Sequence, residues 1–133
     1  LQEEFKMAVI IITHNLGVVA EFADRVLVMY AGRTAEQASV ENVFDRPAHP
    51  YTEGLIASIP DLDADVHRLT AIPGTLPNPQ SLPPGCRFQP RCGYARDACA
   101  TGLPPLVGVE AAHYAACIRH TDYRFDATAE VVR

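Results

Sequence analysis

Proline divides this chain of 133 residues into two unlike parts. Nine of its eleven prolines lie between Pro60 and Pro105. Proline lacks a backbone N–H and clashes with the preceding helical turn, so this stretch cannot carry a regular helix or a central strand. We therefore expect regular structure mainly in residues 1–60, followed by a proline-rich connector over residues 61–85. Long loops are uncommon in compact domains unless they are functional or anchored.

The first part contains a uniformly apolar run from Met7 to Ile12, which ends abruptly in Thr13, His14 and Asn15. Such a short run predicts a strand buried on both faces, as in a parallel α/β sheet. Open α/β sheets bind ligands at the carboxyl ends of their strands. Histidine titrates near neutral pH and can hydrogen-bond a phosphate oxygen. His14 is therefore the first candidate for chemistry, with a surface or capping histidine as the alternative.

Capping, turn and proline signals predict further elements downstream. Asn15 and Ser39 are both suited to cap a helix, and Ala31-Gly32 favours the tight turn of a hairpin. The return strand of that hairpin is weakly apolar, which indicates a sheet edge. The predicted elements are a helix from about Leu16 to Ala23, a strand over Arg25–Tyr30, a return strand over 33–37, a helix from Ser39 through Phe44, and a helix from Pro50 to near Pro60.

Composition excludes several classes of protein. The formal net charge of −5, with one lysine, Lys6, among eleven basic residues, argues against a general nucleic-acid binder. No apolar run reaches the length that predicts a membrane-spanning helix, and the start lacks the pattern of a signal peptide. Residues 1–6 read as the last turn of a helix and do not begin with Met. We therefore expect a fragment.

The second part contains four cysteines: Cys86, Cys92, Cys99 and Cys117. Without an export signal, structural disulfides are disfavoured, and clustered cysteines indicate metal or redox chemistry. Structural zinc sites usually contain a pair of ligands two to four residues apart, and no such pair is present. The wider spacing favours a [4Fe–4S] cluster, in which each thiolate binds a separate iron, with zinc as the alternative. Four cysteines without a ligand remain the simplest alternative.

Basic residues accompany these cysteines and could offset the negative charge of four thiolates. They are Arg87, Arg91, Arg96 and Arg119. His113 is a weaker ligand candidate, better suited to supporting the site or to a structural role. Because a proline-rich segment buries little apolar surface, we expect residues 84–120 to be unfolded without their metal.

Several segments match the pattern of one transporter family. They are Ile11–Glu21, Ala23–Arg33, His49–Pro60, Ile72-Pro-Gly-Thr, and Pro84–Cys92 with Cys99 and Cys117. Over about residues 1–120 the chain resembles the C-terminal half of the ATP-binding subunits of bacterial oligopeptide and dipeptide ABC importers. Asn15 departs from this pattern, in which aspartate is usual.

The resemblance implies an α/β fold: the C-terminal piece of a RecA-like P-loop NTPase core over residues 1–60, the connector at 61–85, a Cys₄ extension with little regular structure at 86–120, and a tail at 121–133. It implies that His14 is the switch histidine that contacts the γ-phosphate and helps to organise the attacking water. It also implies that Cys86, Cys92, Cys99 and Cys117 hold a [4Fe–4S] cluster whose role is structural.

The same resemblance defines what this chain would lack. It contains no G-x-x-x-x-G-K-[ST] phosphate loop, and no acidic strand end for Mg²⁺ or family signature motif. ATP and Mg²⁺ would therefore bind only the full subunit, and we expect the chain alone neither to bind ATP tightly nor to hydrolyse it.

The implied partners are the missing N-terminal part of the subunit, a second ATP-binding subunit, the membrane permease subunits and, indirectly, a substrate-binding protein, with no nucleic acid. The implied location is the cytoplasmic face of the bacterial inner membrane, where the whole subunit would couple ATP hydrolysis to peptide import. Two alternatives remain at this point: a free-standing Cys₄ docking module and an unrelated redox protein.

Overall fold

The computed structural model describes residues 2–59 and 71–121. Its helices and strands are α1 (Gln2–Phe5), α2 (Leu16–Phe22), β1 (Arg25–Tyr30), β2 (Arg33–Ser39), α3 (Val40–Asp45), α4 (Pro50–Ala57), β3 (Val107–Glu110) and β4 (His113–Ala115). Short 3₁₀ helices occupy Gln89–Arg91 and Asp97–Ala100. Residues 61–70 of the predicted connector and residues 122–133 of the predicted tail lie outside the described residues.

The predicted hairpin is confirmed and extends further than expected. Strands β1 and β2 pair antiparallel from Arg25 opposite Ser39 to Tyr30 opposite Arg33. The turn between them places Ala31 at φ 45° and Gly32 at φ 78°. Two successive residues with positive φ match the turns whose twist suits a two-residue hairpin. The Ala-Gly pair thus sets the pairing next to the turn, and the register shifts by one residue between Met29 and Val28.

Strand β2 lies inside the sheet, so the prediction that it forms an edge is wrong. The strand order is β1-β2-β4-β3. Residues Glu36 and Gln37 of β2 pair with Ala115 and Tyr114 of β4, and Ala116 N donates to Ala35 O at 2.8 Å. The weak apolarity of β2 reflects small buried alanines and a buried carboxyl group rather than exposure to solvent.

The cysteine-containing part has more regular structure than expected. Strands β3 and β4 form an antiparallel hairpin, with Ala112 at φ 56° in its turn. Both strands lie after Pro105, the last proline of the chain, so each of their residues has a backbone N–H that can pair. Between residues 71 and 88 the structure contains neither a helix nor a strand, as the proline content predicts.

The apolar run at residues 7–12 does not form a strand, so the prediction of a buried parallel strand is wrong. Its side chains are exposed to solvent, with Ile10 at 91 % and Ile12 at 96 % of their full accessible area. A strand buried on both faces needs neighbouring strands and covering layers. In the described part of the chain no strand pairs with this run, and the observed sheet is antiparallel throughout.

The helices begin where their capping residues predict. The Asn15 side chain accepts hydrogen bonds from Gly17 N at 3.0 Å and Val18 N at 3.4 Å. Ser39 Oγ accepts from Asn42 N at 3.3 Å. Helix α4 has Pro50 in its first turn, as expected, and ends at Ala57, a little before Pro60. Helices α2 and α3 start at these positions because the short side chains of Asn15 and Ser39 accept hydrogen bonds from backbone N–H groups that have no partner within the helix.

A single apolar cluster joins the hairpin to the cysteine-containing segment. Its buried members are Val28, Tyr30, Ala35, Ala38, Val43 and Phe88. The Phe88 ring lies 5.2 Å from the Tyr30 ring, edge to face, and 5.4 Å from the Tyr51 ring. Burying one phenylalanine side chain contributes about 1.5–3 kcal/mol. Phe88 therefore anchors the cysteine segment on the hairpin, although the proposed division at residue 85 stays a prediction.

Candidate metal centre

The four cysteines line one shared cavity. Cys86 and Cys92 flank the first 3₁₀ helix, Cys99 lies in the second, and Cys117 follows β4. All four are free thiols. The structure therefore brings together the residues that the sequence predicts as metal ligands, from segments up to 31 positions apart.

Close backbone approach brings the first and third cysteines to the same wall of the cavity. Cys86 N donates to Cys99 O at 2.8 Å. Gly85 makes this approach possible, because a Cβ atom at this position would overlap the Cys99 carbonyl oxygen and lie 2.7 Å from Ala100 Cα. The absence of a side chain at Gly85 is thus a condition for the shape of the cavity.

Backbone N–H groups surround the four sulfur atoms. Arg96 N donates to Cys99 Sγ at 3.4 Å. The Cys86 thiol faces the backbone N–H groups of Phe88 and Gln89, Cys92 faces that of Tyr94, and Cys117 faces that of Arg119. Such hydrogen bonds favour the charged thiolate over the neutral thiol. This arrangement is suited to cysteines that act as thiolate ligands.

Burial disfavours the charged form of Cys86, Cys92 and Cys117 and so keeps these three thiols protonated. The pKa of Cys92 is raised from 9.0 to about 11 by burial and by the three neighbouring thiols, against the opposing effect of the Tyr94 N–H. Burial also raises the pKa of Cys86 and of Cys117. A metal must displace these protons, so its binding releases protons and strengthens as the pH rises.

The donor set consists of four cysteine thiols, the ligands that iron–sulfur clusters use. Within residues 2–59 and 71–121, no group of three or more His, Cys, Asp or Glu side chains is arranged so that it could hold a metal ion. A four-iron cluster places each thiolate on a separate iron, so its ligands line a cavity rather than converge on one point. The four thiols line one cavity.

The arginines differ in what they contact. Arg91 binds the connector through Nε to Pro73 O at 2.8 Å and through Nη2 to Ile72 O at 3.0 Å. The Arg87 guanidinium donates to Ala31 O in the hairpin turn. Arg119 lines the cavity, and its charge lowers the pKa of Cys117, against the larger effect of burial. Arg96 contributes its backbone N–H. The prediction that all four offset cluster charge therefore finds structural support chiefly at Arg119.

His113 supports the fold through a buried carboxyl group that the sequence analysis missed. A 2.7 Å hydrogen bond joins His113 Nε2 to Glu36 Oε1. Glu36 also accepts from Ala48 N at 2.7 Å and from His49 N at 3.0 Å. The available signal was a charged residue, Glu36, next to Ala35 in the interior of the predicted return strand. The pair connects β2, β4 and the start of α4.

His14 lies apart from this cavity. It is exposed, immediately before the residue that caps α2. Thr13 Oγ1 accepts from Asn15 N at 3.0 Å and shapes the same turn. His14 is not among the residues that line the cysteine cavity. Its role in contacting a phosphate therefore stays a prediction.

Comparison with known proteins identifies the region that contains this cavity. Residues 35–99 match the family model described as the C-terminal region of oligopeptide/dipeptide transporters. This chain carries that C-terminal region. The match includes Cys86, Cys92 and Cys99, together with most of β2 and all of α4.

Relatives of this oligopeptide-transporter region are ATP-binding proteins. The chain is 54 % identical over 104 residues to a peptide import ATP-binding protein of Brucella abortus, which covers 78 % of the chain and 31 % of the relative. It is 52 % identical over 107 residues to the oligopeptide transport ATP-binding protein AppD of Bacillus subtilis, covering 80 % of the chain and 33 % of AppD.

A third relative extends the similarity along the chain. A peptide import ATP-binding protein of Brucella ovis is 50 % identical over 125 residues, covering 90 % of the chain and 37 % of the relative. The chain spans about a third of the length of these curated relatives. Among the described residues, no helix is long and apolar enough to cross a membrane.

Proposed function

We propose that this chain is the C-terminal piece of an ATP-binding subunit that couples ATP hydrolysis to peptide import through an ABC transporter. The observation that carries the proposal is the identity of 50–54 % to relatives named as peptide import ATP-binding proteins. The region that matches the family model includes most of β2 and Phe88, which packs against the hairpin.

In the complete subunit, His14 contacts the γ-phosphate of ATP and helps to organise the attacking water. Its exposure and its position before the Asn15 cap of α2 support this role. Phosphoryl transfer depends mainly on positioning and electrostatic stabilisation, which one well-placed histidine can assist. The phosphate loop and the Mg²⁺ ligands would come from sequence outside this chain.

Cys86, Cys92, Cys99 and Cys117 hold a [4Fe–4S] cluster. The shared cavity and the backbone N–H groups around the four sulfurs support this assignment. When bound, such a cluster links four loop segments and supplies a centre capable of accepting an electron. The chain's own residues provide the thiolates, stabilise their negative charge and attach the segment to the hairpin through Phe88.

The proposed partners are a second ATP-binding subunit and the membrane permease subunits, with a substrate-binding protein acting through them. The proposed location is the cytoplasmic face of the inner membrane. The names of the relatives support an importer. The remaining two thirds of their length would contain the parts of the nucleotide site that this sequence lacks.

Genomic sequence upstream of the codon for Leu1 tests the proposal. We expect an open reading frame that continues upstream and encodes a phosphate loop. We also expect the purified chain to show no hydrolysis of Mg-ATP. An in-frame stop codon directly before Leu1, or ATPase activity that copurifies with the chain, would contradict the assignment.

A further inference from the structure

The cavity that contains the four cysteines also contains a histidine that the sequence does not associate with it. His49 lines this cavity and a neighbouring one bordered by Cys86 and Phe88. Only 3 % of its surface is exposed. It precedes Pro50 in the chain, 37 positions before Cys86. Its place in the cavity wall is therefore a product of tertiary packing.

Three contacts fix the orientation of this histidine. Its Nδ1 accepts a hydrogen bond from Tyr51 N at 3.0 Å and so caps α4. Its backbone N donates to Glu36 Oε2 at 3.0 Å. Its ring lies 6.0 Å from the Phe88 ring, centroid to centroid. Because both the backbone and the ring are held, the direction of the remaining nitrogen is set before any ligand binds.

The cap also determines the tautomer. A ring nitrogen that accepts an N–H carries a lone pair, so the proton of the neutral imidazole resides on Nε2. Burial lowers the pKa of His49 from 6.5 to about 4, so the ring is neutral at physiological pH. Among the described residues, no hydrogen bond of His49 Nε2 is observed. The donor is therefore available to an occupant of the cavity.

Besides the cysteines and His49, three polar side chains line the cavity: Gln89, Tyr94 and Arg119. The last two have hydrogen-bond partners. The Tyr94 hydroxyl donates to Glu53 Oε1 at 3.0 Å, and Arg119 Nη1 donates to Tyr94 O at 2.9 Å. A cluster bound by four thiolates carries net negative charge and has sulfur atoms that accept hydrogen bonds. His49 is buried more deeply than Gln89, Tyr94 or Arg119.

We propose that His49 donates its Nε2–H to a sulfur atom of the metal cluster held by the four cysteines and thereby raises the reduction potential of that cluster. This inference rests on the cluster proposed above. A hydrogen bond to sulfur stabilises the more negative, reduced state more than the oxidised state. His49 is thus a positioning residue that acts on the cluster without being one of its ligands.

Two variants separate the donor from the cap. In His49→Asn, the amide oxygen can still accept the Tyr51 N–H, since asparagine is a favourable capping residue, but the Nε2–H donor is removed. In His49→Gln, the longer side chain places an amide N–H about as far from the backbone as Nε2 of the histidine. The full chain and both variants are reconstituted anaerobically with ferrous iron and sulfide, and the potential is measured by spectroscopic redox titration.

We expect the His49→Asn cluster to have a more negative potential than wild type, with unchanged iron content, and the His49→Gln cluster to lie close to wild type. Equal potentials in wild type and His49→Asn, with the cluster intact in both, would overturn the inference while leaving the cluster proposal standing. Failure of the wild-type chain to assemble a cluster would overturn both. A purely structural role predicts lower iron content at an unchanged potential.

Discussion

Gly85 determines how closely the chain segments around the cysteine cavity approach each other. Substitution Gly85→Ala places a methyl group against the Cys99 carbonyl oxygen and 2.7 Å from Ala100 Cα. We expect this change to lower the free energy of unfolding by about 1–3 kcal/mol, the usual cost of overpacking. Urea unfolding measures it, with Gly93→Ala as the control, since no atom lies within 4 Å of a Cβ there. Equal stability of the two variants would show that the close approach is unnecessary.

Glu36 joins three parts of the structure through one buried carboxyl group. In Glu36→Gln, an amide N–H replaces an acceptor that faces Ala48 N or His49 N. We expect a loss of about 1–3 kcal/mol of stability, because a buried donor is left without an acceptor. Thermal unfolding measures the loss, and the exposed Glu41→Gln in α3 serves as the control. A Glu36→Gln melting temperature equal to that of the control would refute the role of this carboxyl group.

Burial of His49 predicts a specific dependence of stability on pH. Its pKa falls from 6.5 to about 4 on folding, so between these values the unfolded chain binds the proton and the folded chain does not. Above pH 6.5 this histidine therefore does not lower the free energy of unfolding. As the pH falls from 6.5 towards 4, the free energy of unfolding decreases by a total on the order of 3 kcal/mol. Urea titrations of the metal-free chain at pH 7 and pH 4.5 should show the decline, and His49→Asn should reduce it. Identical declines in both proteins would contradict the assignment.

At the scale of elements, local sequence signals were sufficient to predict those helices and turns that depend on residues close to one another in sequence. Asn15, Ser39 and Pro50 mark helix starts, and the Ala31-Gly32 pair marks the hairpin turn, so these features could be predicted. The interior position of β2 could not, since it depends on pairing with β4 some 77 positions away. The prediction for residues 7–12 failed for the same reason, because a buried strand requires partners that its own sequence does not specify.

The exposed apolar run predicts self-association of the chain. Ile10 and Ile12 expose 91 % and 96 % of their area, and such surfaces promote contact between copies. We expect wild type to associate as its concentration rises, and Ile10→Lys with Ile12→Lys to weaken this without changing the melting temperature. Leu76→Lys, at an isolated position that is 71 % exposed, is the control. Sedimentation velocity measures the association, and a monodisperse wild-type monomer would count against the prediction.

At the scale of the whole molecule, the cysteine segment and the hairpin depend on each other for their packing. Phe88 lies in the same cluster as Val28 and Tyr30, and Cys86 and Cys92 pack against that cluster. The sequence could predict which cysteines come together, through their spacing and the family resemblance. It could not predict that Glu36 and His49 would connect the segment to the sheet, because their contacts with His113 and Phe88 arise only in the folded chain.

The central claim is that four cysteines on this folded platform hold one iron–sulfur cluster. Chemical analysis of iron and acid-labile sulfide in the anaerobically reconstituted full chain tests it most directly, with Cys92→Ser as the matched variant. We expect iron and sulfide in the equal amounts of a [4Fe–4S] cluster, with a visible absorption band, and a marked loss of both in Cys92→Ser. Binding of zinc in place of iron, or iron and sulfide contents that Cys92→Ser leaves unchanged, would contradict this account.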